Sequence, residues 1–174
     1  MTNALKYRRA VVTALLIVSA TALQTTLFVQ VRPFDAAPAL VLLSVIGLAR
    51  HLSAEFALFM GFAAGVLEDL LSQSALGLWA LTLTTVAYFV VRLRDRMEED
   101  FSLMAPFVFG LTAGGIALFA VLGTIFGEKT LADAGFLRKI LVPSIYNVAL
   151  TGVVLPFITW ALGARQRVNP YQTT

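Results

Sequence analysis

The chain repeats one pattern six times, a long apolar run followed by a short polar break. The apolar runs cover residues 10–31, 36–49, 54–71, 75–91, 102–126 and 140–162. An α-helix rises about 1.5 Å per residue, so about 20 apolar residues cross the hydrocarbon core of a bilayer. The pattern therefore predicts an all-α, polytopic membrane protein of about six transmembrane helices. We expect a single transmembrane domain over residues 1–174, with a polar tail at 163–174.

Two features of the breaks leave alternatives open. The second and third runs are short, and they could pair as a hairpin that does not cross the bilayer at full thickness. The first run could instead be a signal peptide, because Ala20-Thr21-Ala22 imitates a cleavage site. We favour a helix, since the apolar run continues past that site. Asp35 is the expected N-cap of the second helix, with Pro38 in its first turn.

Composition supports a membrane protein and excludes several kinds of site. Hydrophobic residues make up 59% of the chain and charged residues 13%, against about 45–50% and about 25% in soluble domains. The chain has no cysteine, and its one histidine, His51, is expected in a solvated loop. A thiolate site, a conventional zinc site and a phosphate-binding G-x-x-x-x-G-K-[ST] loop are thus excluded. We predict no enzyme activity, no catalytic residue, no cofactor, no metal and no nucleic-acid partner.

The distribution of basic residues predicts the orientation. With six helices both termini share one side, which carries Lys6, Arg8, Arg9, Arg50, Arg92, Arg94, Arg96, Arg165 and Arg167. The other side carries Arg32, Lys129, Arg138 and Lys139. Basic residues collect in cytoplasmic loops, so both termini are expected in the cytoplasm.

The strongest local signal lies in the third helix. Gly61, Gly65 and Asp69 are four residues apart and therefore share one helix face. The glycines permit close approach of another helix. Asp69 is then either a polar pin at a helix junction, or a residue lining an outward cavity, or an ordinary acid at the membrane surface. Its neighbour Glu68 is expected to be solvated.

Other helices carry weaker candidates. Asn147 in the sixth helix is expected to bond another helix, and it could reach Asp69 at a similar depth. Gln24 in the first helix is similar, and Arg32 adds a charge in the outer half. The pairs Gly110–Gly114 and Gly123–Gly127 are expected to pack internally, and Trp79, Tyr88 and Trp160 are read as interfacial aromatics.

The segment from residue 32 to residue 91 carries a series of short patterns. An Arg-Pro pair stands before the second helix as Arg32-Pro33. The pattern G-F-x-x-G-x-x-x-D-L follows as Gly61, Phe62, Gly65, Asp69 and Leu70. The pattern S-x-L-G-x-x-A-L and a later A-Y pair follow as Ser74, Leu76, Gly77, Ala80, Leu81, Ala87 and Tyr88. With these patterns the segment resembles the MreD family of bacterial rod shape-determining membrane proteins.

The resemblance implies a non-enzymatic part of the machinery that elongates the lateral cell wall in the bacterial cytoplasmic membrane. Its implied partners are MreC, a single-span protein with a large periplasmic domain, together with RodA, its partner transpeptidase and MreB. The implied fold is similar to that of the substrate-binding subunits of vitamin importers. Under this reading Arg32, Gly61, Gly65, Asp69 and Asn147 are the candidates for partner binding, helix packing or a cavity.

Two other functions compete with a scaffold. A substrate-binding subunit of a vitamin or metal importer would need a roomy outward pocket with several polar or aromatic groups. Arg32, Asp69, Trp79, Glu128 and Asn147 are the residues available for one. A secondary transporter is less favoured, because the helix centres carry no charge and no inverted repeat is visible.

Overall fold

A computed structural model of the chain describes residues 3–30, 37–72, 75–94, 101–127 and 135–163. This part folds into six α-helices. They are α1 (Asn3–Gln30), α2 (Leu40–Ala49), α3 (Ala54–Ser72), α4 (Leu78–Leu93), α5 (Phe101–Ile125) and α6 (Phe136–Ala161). The predicted all-α class is therefore confirmed.

The helices run alternately up and down. Gly65 of α3 lies beside Ala80 of α4, and Gly61 lies beside Leu83, which makes these two helices antiparallel. By contrast, α2 and α6 are parallel, because Ala39 neighbours Asn147 while Gly47 neighbours Leu155. Helices α2, α4 and α6 therefore begin at the same end of the bundle, which we call the start end.

Helix α2 is the centre of the bundle. All ten of its residues are buried, and it contacts each of the other five helices. Its sequence explains this position, because a helix that is apolar on every side is stable only when enclosed. Ten residues give a length of about 15 Å, half of the hydrocarbon core. Helix α2 is therefore a core helix too short to cross a membrane.

Three helices are long and apolar enough to cross a membrane. The candidate spans are Tyr7–Thr26, Leu103–Ile125 and Phe136–Ala161, in α1, α5 and α6. At most 28% of each span's most apolar stretch is buried inside the bundle, so wide apolar surfaces remain for lipid. About six transmembrane helices were expected, and three of the six helices are long and apolar enough to cross a membrane. Helix α4 is short, and α3 carries Glu55, Glu68 and Asp69.

Two helices begin later than predicted. Helix α2 begins at Leu40 rather than at residue 36, because its N-cap Ala39 has non-helical backbone angles, φ −87° and ψ 72°, and Pro38 disfavours helical backbone at Ala37. Helix α4 begins at Leu78 rather than at residue 75, because Gly77 is left-handed with φ of 102°. A left-handed residue does not continue an α-helix, and glycine adopts that conformation without a Cβ clash.

Two other helices begin earlier than predicted, because basic residues were read as loop. Helix α6 begins at Phe136 and includes Arg138 and Lys139, which were assigned to the preceding loop. Helix α1 begins at Asn3 and includes Arg8 and Arg9. Long basic side chains fit a helix end, since their heads can reach water while the stem stays apolar.

The tightest packing in the described bundle joins α3 to α4 at a glycine. A Cβ added to Gly65 would lie 2.3 Å from the Ala80 Cα and 2.4 Å from the Trp79 carbonyl oxygen. A Cβ added to Gly61 would lie 2.9 Å from the Leu83 carbonyl oxygen. Both obstacles are backbone and cannot rotate away. The two glycines therefore set the distance between α3 and α4.

Replacing Gly65 by Ala should destabilise the fold through this backbone clash. We expect the free energy of unfolding to fall by about 1–3 kcal/mol, as in other overpacked cores. Thermal unfolding in mild detergent measures the change. Gly152→Ala on α6 is the matched control, because a Cβ there meets nothing within 4 Å. Equal stability of the two variants would contradict the role given to Gly65.

Candidate functional site

The carboxylate of Asp69 caps the start of α4. Its Oδ2 accepts hydrogen bonds from the backbone N–H of Gly77 at 2.9 Å and of Ala80 at 3.2 Å. Its Oδ1 accepts one from the N–H of Trp79 at 3.0 Å. The side chain is only 1% exposed, so Asp69 is not an acid at the membrane surface. The structure places it at a helix junction instead.

Helix α4 requires this cap, because its own residues do not provide acceptors for its first N–H groups. The first N–H groups of a helix have no partner within that helix, and the N-cap residue Gly77 has no side chain to supply one. A carboxylate also interacts favourably with the positive end of the helix dipole. Asp69 reaches these groups because Gly65, one turn earlier, brings the two backbones together. Gly61, Gly65 and Asp69 thus act on a single partner, α4.

Glu68 belongs to a second polar cluster, and its expected solvation is wrong. The side chain is 6% exposed, and its Oε1 accepts a hydrogen bond from Gln24 Nε2 at 2.5 Å. Gln24 Oε1 in turn accepts from the backbone N–H of Val41 at 3.1 Å. Gln24 therefore joins α1, α3 and the start of α2. Glu68 Oε2 has no hydrogen-bond partner among the described residues.

Asn147 holds the same end of α2 from the other side. It is fully buried, and its Nδ2 donates to the Ala39 carbonyl at 3.0 Å and to Thr112 Oγ1 at 3.2 Å. These bonds join α6 to α5 and to the residue that precedes α2. Asn147 was expected to be able to reach Asp69, and it bonds Ala39 and Thr112 instead. The apolar sequence around Asn147 indicated a buried amide, but its hydrogen-bond partners depend on the tertiary fold.

The opposite end of α2 is also held by polar side chains. Arg94 Nη1 donates to the Leu52 carbonyl at 2.6 Å. His51 Nε2 lies 3.1 Å from Thr159 Oγ1 on α6, so the predicted solvated loop histidine is half-buried and bonded. Burial, Arg50 and Arg9 all lower the pKa of His51, in that order of effect. A lower pKa favours the neutral form of the ring.

The remaining glycine motifs differ from their predicted roles. Gly110 and Gly114 on α5 were expected to pack internally, yet both are exposed, and a Cβ on either meets nothing within 4 Å. Gly127 follows the end of α5 with φ of 90°, so it ends that helix rather than packing with Gly123. Arg32 lies outside the described residues.

A cavity of about 450 Å³ lies at the start end of the bundle. Residues of α1, α4, α5 and α6 and the segment before α2 line it, among them Gln24, Ala39, Trp79, Phe119, Lys139 and Pro143. Trp79, read from the sequence as an interfacial aromatic, is half-buried and stacks on Phe119 with ring centroids 4.3 Å apart. Within the described residues, no three His, Asp or Glu side chains are grouped to hold a metal.

Removing the Asp69 carboxylate should loosen the start of α4. Asp69→Ala leaves buried N–H groups unpaired, which costs about 1–3 kcal/mol of stability per group in comparable cases. Asp69→Asn keeps one acceptor oxygen and should lose less. Hydrogen exchange at residues 77–80 measures the local effect, and thermal unfolding measures the global one. Glu68→Gln is the control, and unchanged exchange at 77–80 in Asp69→Ala would contradict the cap.

Comparison with known proteins identifies the family to which this arrangement belongs. The family model for MreD, the rod shape-determining protein, matches residues 6–162. The match takes in all the clusters described above, from Gln24 to Thr159. Neither a curated protein nor a solved structure matches the chain. The chain therefore belongs to the MreD family of non-enzymatic, rod shape-determining membrane proteins.

Proposed function

We propose that this chain is a scaffold of the rod-shape machinery that binds the membrane span of MreC. The observation that carries the proposal is the family match, which extends over residues 6–162 of the 174. Family membership implies a role in rod-shape determination. Binding of MreC, and a wider complex with RodA, its partner transpeptidase and MreB, are the finer parts of the proposal.

The exposed face of α5 is the proposed contact for the MreC span. Lipid gives no hydrophobic drive between helices, so association in a bilayer depends on close packing. Gly110 and Gly114 form a G-x-x-x-G pair with open space in front of each. Pro106 continues this exposed face toward the start of α5, while Leu103 and Val121 border it. A single apolar helix can therefore approach the α5 backbone there.

Gly61 and Gly65, the strongest candidates in the sequence, are not proposed for this contact. Their face is occupied by α4, since an added Cβ at Gly65 would meet the backbone of Ala80. Asp69 and Asn147 likewise use their side chains inside the bundle. The proposed role of these residues is to stabilise the packing of the bundle. The proposed partner site is therefore on α5.

The proposed orientation places both termini in the cytoplasm. Arg8, Arg9, Arg50 and Arg92 all belong to the end of the bundle opposite the start end. Basic residues mark the cytoplasmic side. The start end, with its cavity, then faces the periplasm, where the large domain of MreC lies. Proximity of MreC to this end is a consequence of the proposed orientation.

The alternative is a substrate-binding subunit of a vitamin or metal importer, and the cavity is the observation that favours it. Its volume suits a small molecule. Of the polar and aromatic residues expected to line such a pocket, however, only Trp79 does so among the described residues. Asp69 and Asn147 are engaged elsewhere. The related resemblance to the fold of vitamin-importer subunits stays a prediction.

Bulky residues on α5 should weaken MreC binding without disturbing the bundle. In Gly110→Leu/Gly114→Leu the new side chains point into open space, so we expect unchanged thermal unfolding. Copurification of MreC from mild detergent should fall about tenfold, equivalent to about 1.4 kcal/mol.

Gly152→Leu is the matched control for that experiment. It also replaces an exposed helical glycine whose Cβ meets nothing within 4 Å, but it lies on α6. We expect the control to retain MreC. Full retention of MreC by the α5 double variant, or loss in the α6 control alone, would contradict the assignment to α5.

A further inference from the structure

We propose that α6 is a hinged helix, with its hinge between Gly152 and Pro156 and a latch between Thr159 and His51. The residues of α6 before Gly152 form the start half, and those after it form the end half. This inference does not depend on MreC binding. It rests on the backbone chemistry of the hinge, on the exposure of that segment, and on the separate contacts that hold the two halves to the bundle.

The hinge combines a proline with a glycine one turn earlier. Pro156 lies inside α6 and has no backbone N–H, so the carbonyl of Gly152 lacks its usual helical donor. The proline ring also crowds that carbonyl. A glycine inside a helix lowers the stability of the helix relative to alanine, and sharp kinks in long helices occur at prolines. Bending of α6 therefore costs least in this segment.

Packing does not brace the hinge within the part of the chain that the structure describes. Gly152 and Pro156 are both exposed, and a Cβ added to Gly152 would meet nothing within 4 Å. Pro143, the other proline inside α6, is buried in the bundle. Neighbouring helices therefore enclose the break at Pro143, whereas the break at Pro156 lacks such support.

The start half is fixed to the middle of the bundle. The Asn147 amide donates to the Ala39 carbonyl at 3.0 Å and to the Thr112 hydroxyl at 3.2 Å. Ser144 and Thr151, on either side of Asn147, are also buried. These contacts hold the start half against α5 and the residue before α2, so this half keeps its place when the hinge bends.

The end half is held to α2 by close packing and by one hydrogen bond. A Cβ added to Gly47 would lie 2.9 Å from Leu155 Cδ2 and 2.7 Å from Ile158 Cδ1, so α2 leaves room for these side chains. Thr159 Oγ1 donates to the Leu155 carbonyl at 2.9 Å, and it therefore accepts the bond from His51 Nε2 at 3.1 Å. This second bond, the latch, joins the end half to the residue two positions beyond α2.

Release of the latch would let the end half bend away from α2. The end half exposes large apolar side chains at Val153, Phe157 and Trp160. A bend at the hinge would therefore move much of the apolar surface at the end of the bundle opposite the start end. The scaffold could change shape at that end while Asn147 keeps the start half in place.

Distances between spin labels test the proposal in the full chain. The chain has no cysteine, so labels attach only where cysteine is introduced. Tyr88→Cys with Trp160→Cys reports on the end half, and Leu81→Cys with Ile145→Cys reports on the start half between the same two helices. All four positions are exposed. Both pairs are measured by pulsed electron paramagnetic resonance in phosphatidylcholine vesicles.

Thr159→Val removes the hydroxyl and keeps the size of the side chain. We expect a second distance in the end-half pair, with a population about fivefold above that of the parent, equivalent to about 1 kcal/mol for one hydrogen bond. The start-half pair should not change, and Thr159→Ser should match the parent. Thr85→Val is the control, because the Thr85 hydroxyl also donates to a carbonyl of its own helix, that of Leu81.

A stiffened helix separates a hinge from general loosening. Gly152→Ala/Pro156→Ala supplies the missing N–H and removes the glycine, so its combination with Thr159→Val should restore the parent distance in the end-half pair. An unchanged distribution in Thr159→Val alone would overturn the latch. A second distance that persists in the stiffened variant, or that also arises in Thr85→Val or in the start-half pair, would overturn the hinge.

Discussion

The structure depends on one constraint, that a short helix at the centre of the bundle must have its backbone ends satisfied away from water. An unpaired N–H or C=O group in an apolar interior costs several kcal/mol. Helix α2 is about 15 Å long by its ten residues, so at least one end lies deep in the bundle. Gln24 accepts a hydrogen bond from the Val41 N–H at its start. Asn147 adds a second hydrogen bond to the Ala39 carbonyl, which already accepts from the Leu43 N–H, and Arg94 bonds the carbonyl of Leu52 beyond the end of α2. Helix α1 thus supplies an acceptor that the start of α2 requires, and Asn147 and Arg94 bond the residues that flank α2.

The start of α4, which packs against α3, also needs acceptors for its backbone N–H groups. The N-cap of α4 is a glycine with no capping side chain, and Asp69 supplies the missing acceptors from the neighbouring helix. The reach of one carboxylate is short, so the cap works only if the two backbones are close. Gly65 provides that closeness, since any Cβ there would overlap Ala80. The glycines and the acid of this motif therefore act together to fix the packing of α3 against α4, whereas the exposed glycines of α5 stay open, as the proposed contact with a partner helix requires.

The helices and their shared faces could be predicted from local sequence. The partners of the polar side chains could not, because they depend on contacts between residues far apart in the chain. The apolar runs predicted six helices, and the four-residue spacing of Gly61, Gly65 and Asp69 predicted one shared face. Glu68 was read as solvated because its partner Gln24 lies 44 residues away in the chain. His51 was misread for the same reason, with Thr159 a further 108 residues along. Gly110 and Gly65 carry the same motif, and only the packing of α4 shows that one pair is covered and the other open.

Placing α2 inside the bundle is the central claim, and lipid-soluble diazirine labelling in native membranes tests it most directly. The reagent inserts into any side chain that contacts acyl chains. Peptides read by mass spectrometry should carry label at exposed residues of α1 and α6, such as Val18, Val153 and Phe157. An enclosed α2 should carry no label between residues 41 and 48 until the protein is denatured. Labelling of that segment in the folded protein, at the level of α1 and α6, would contradict it.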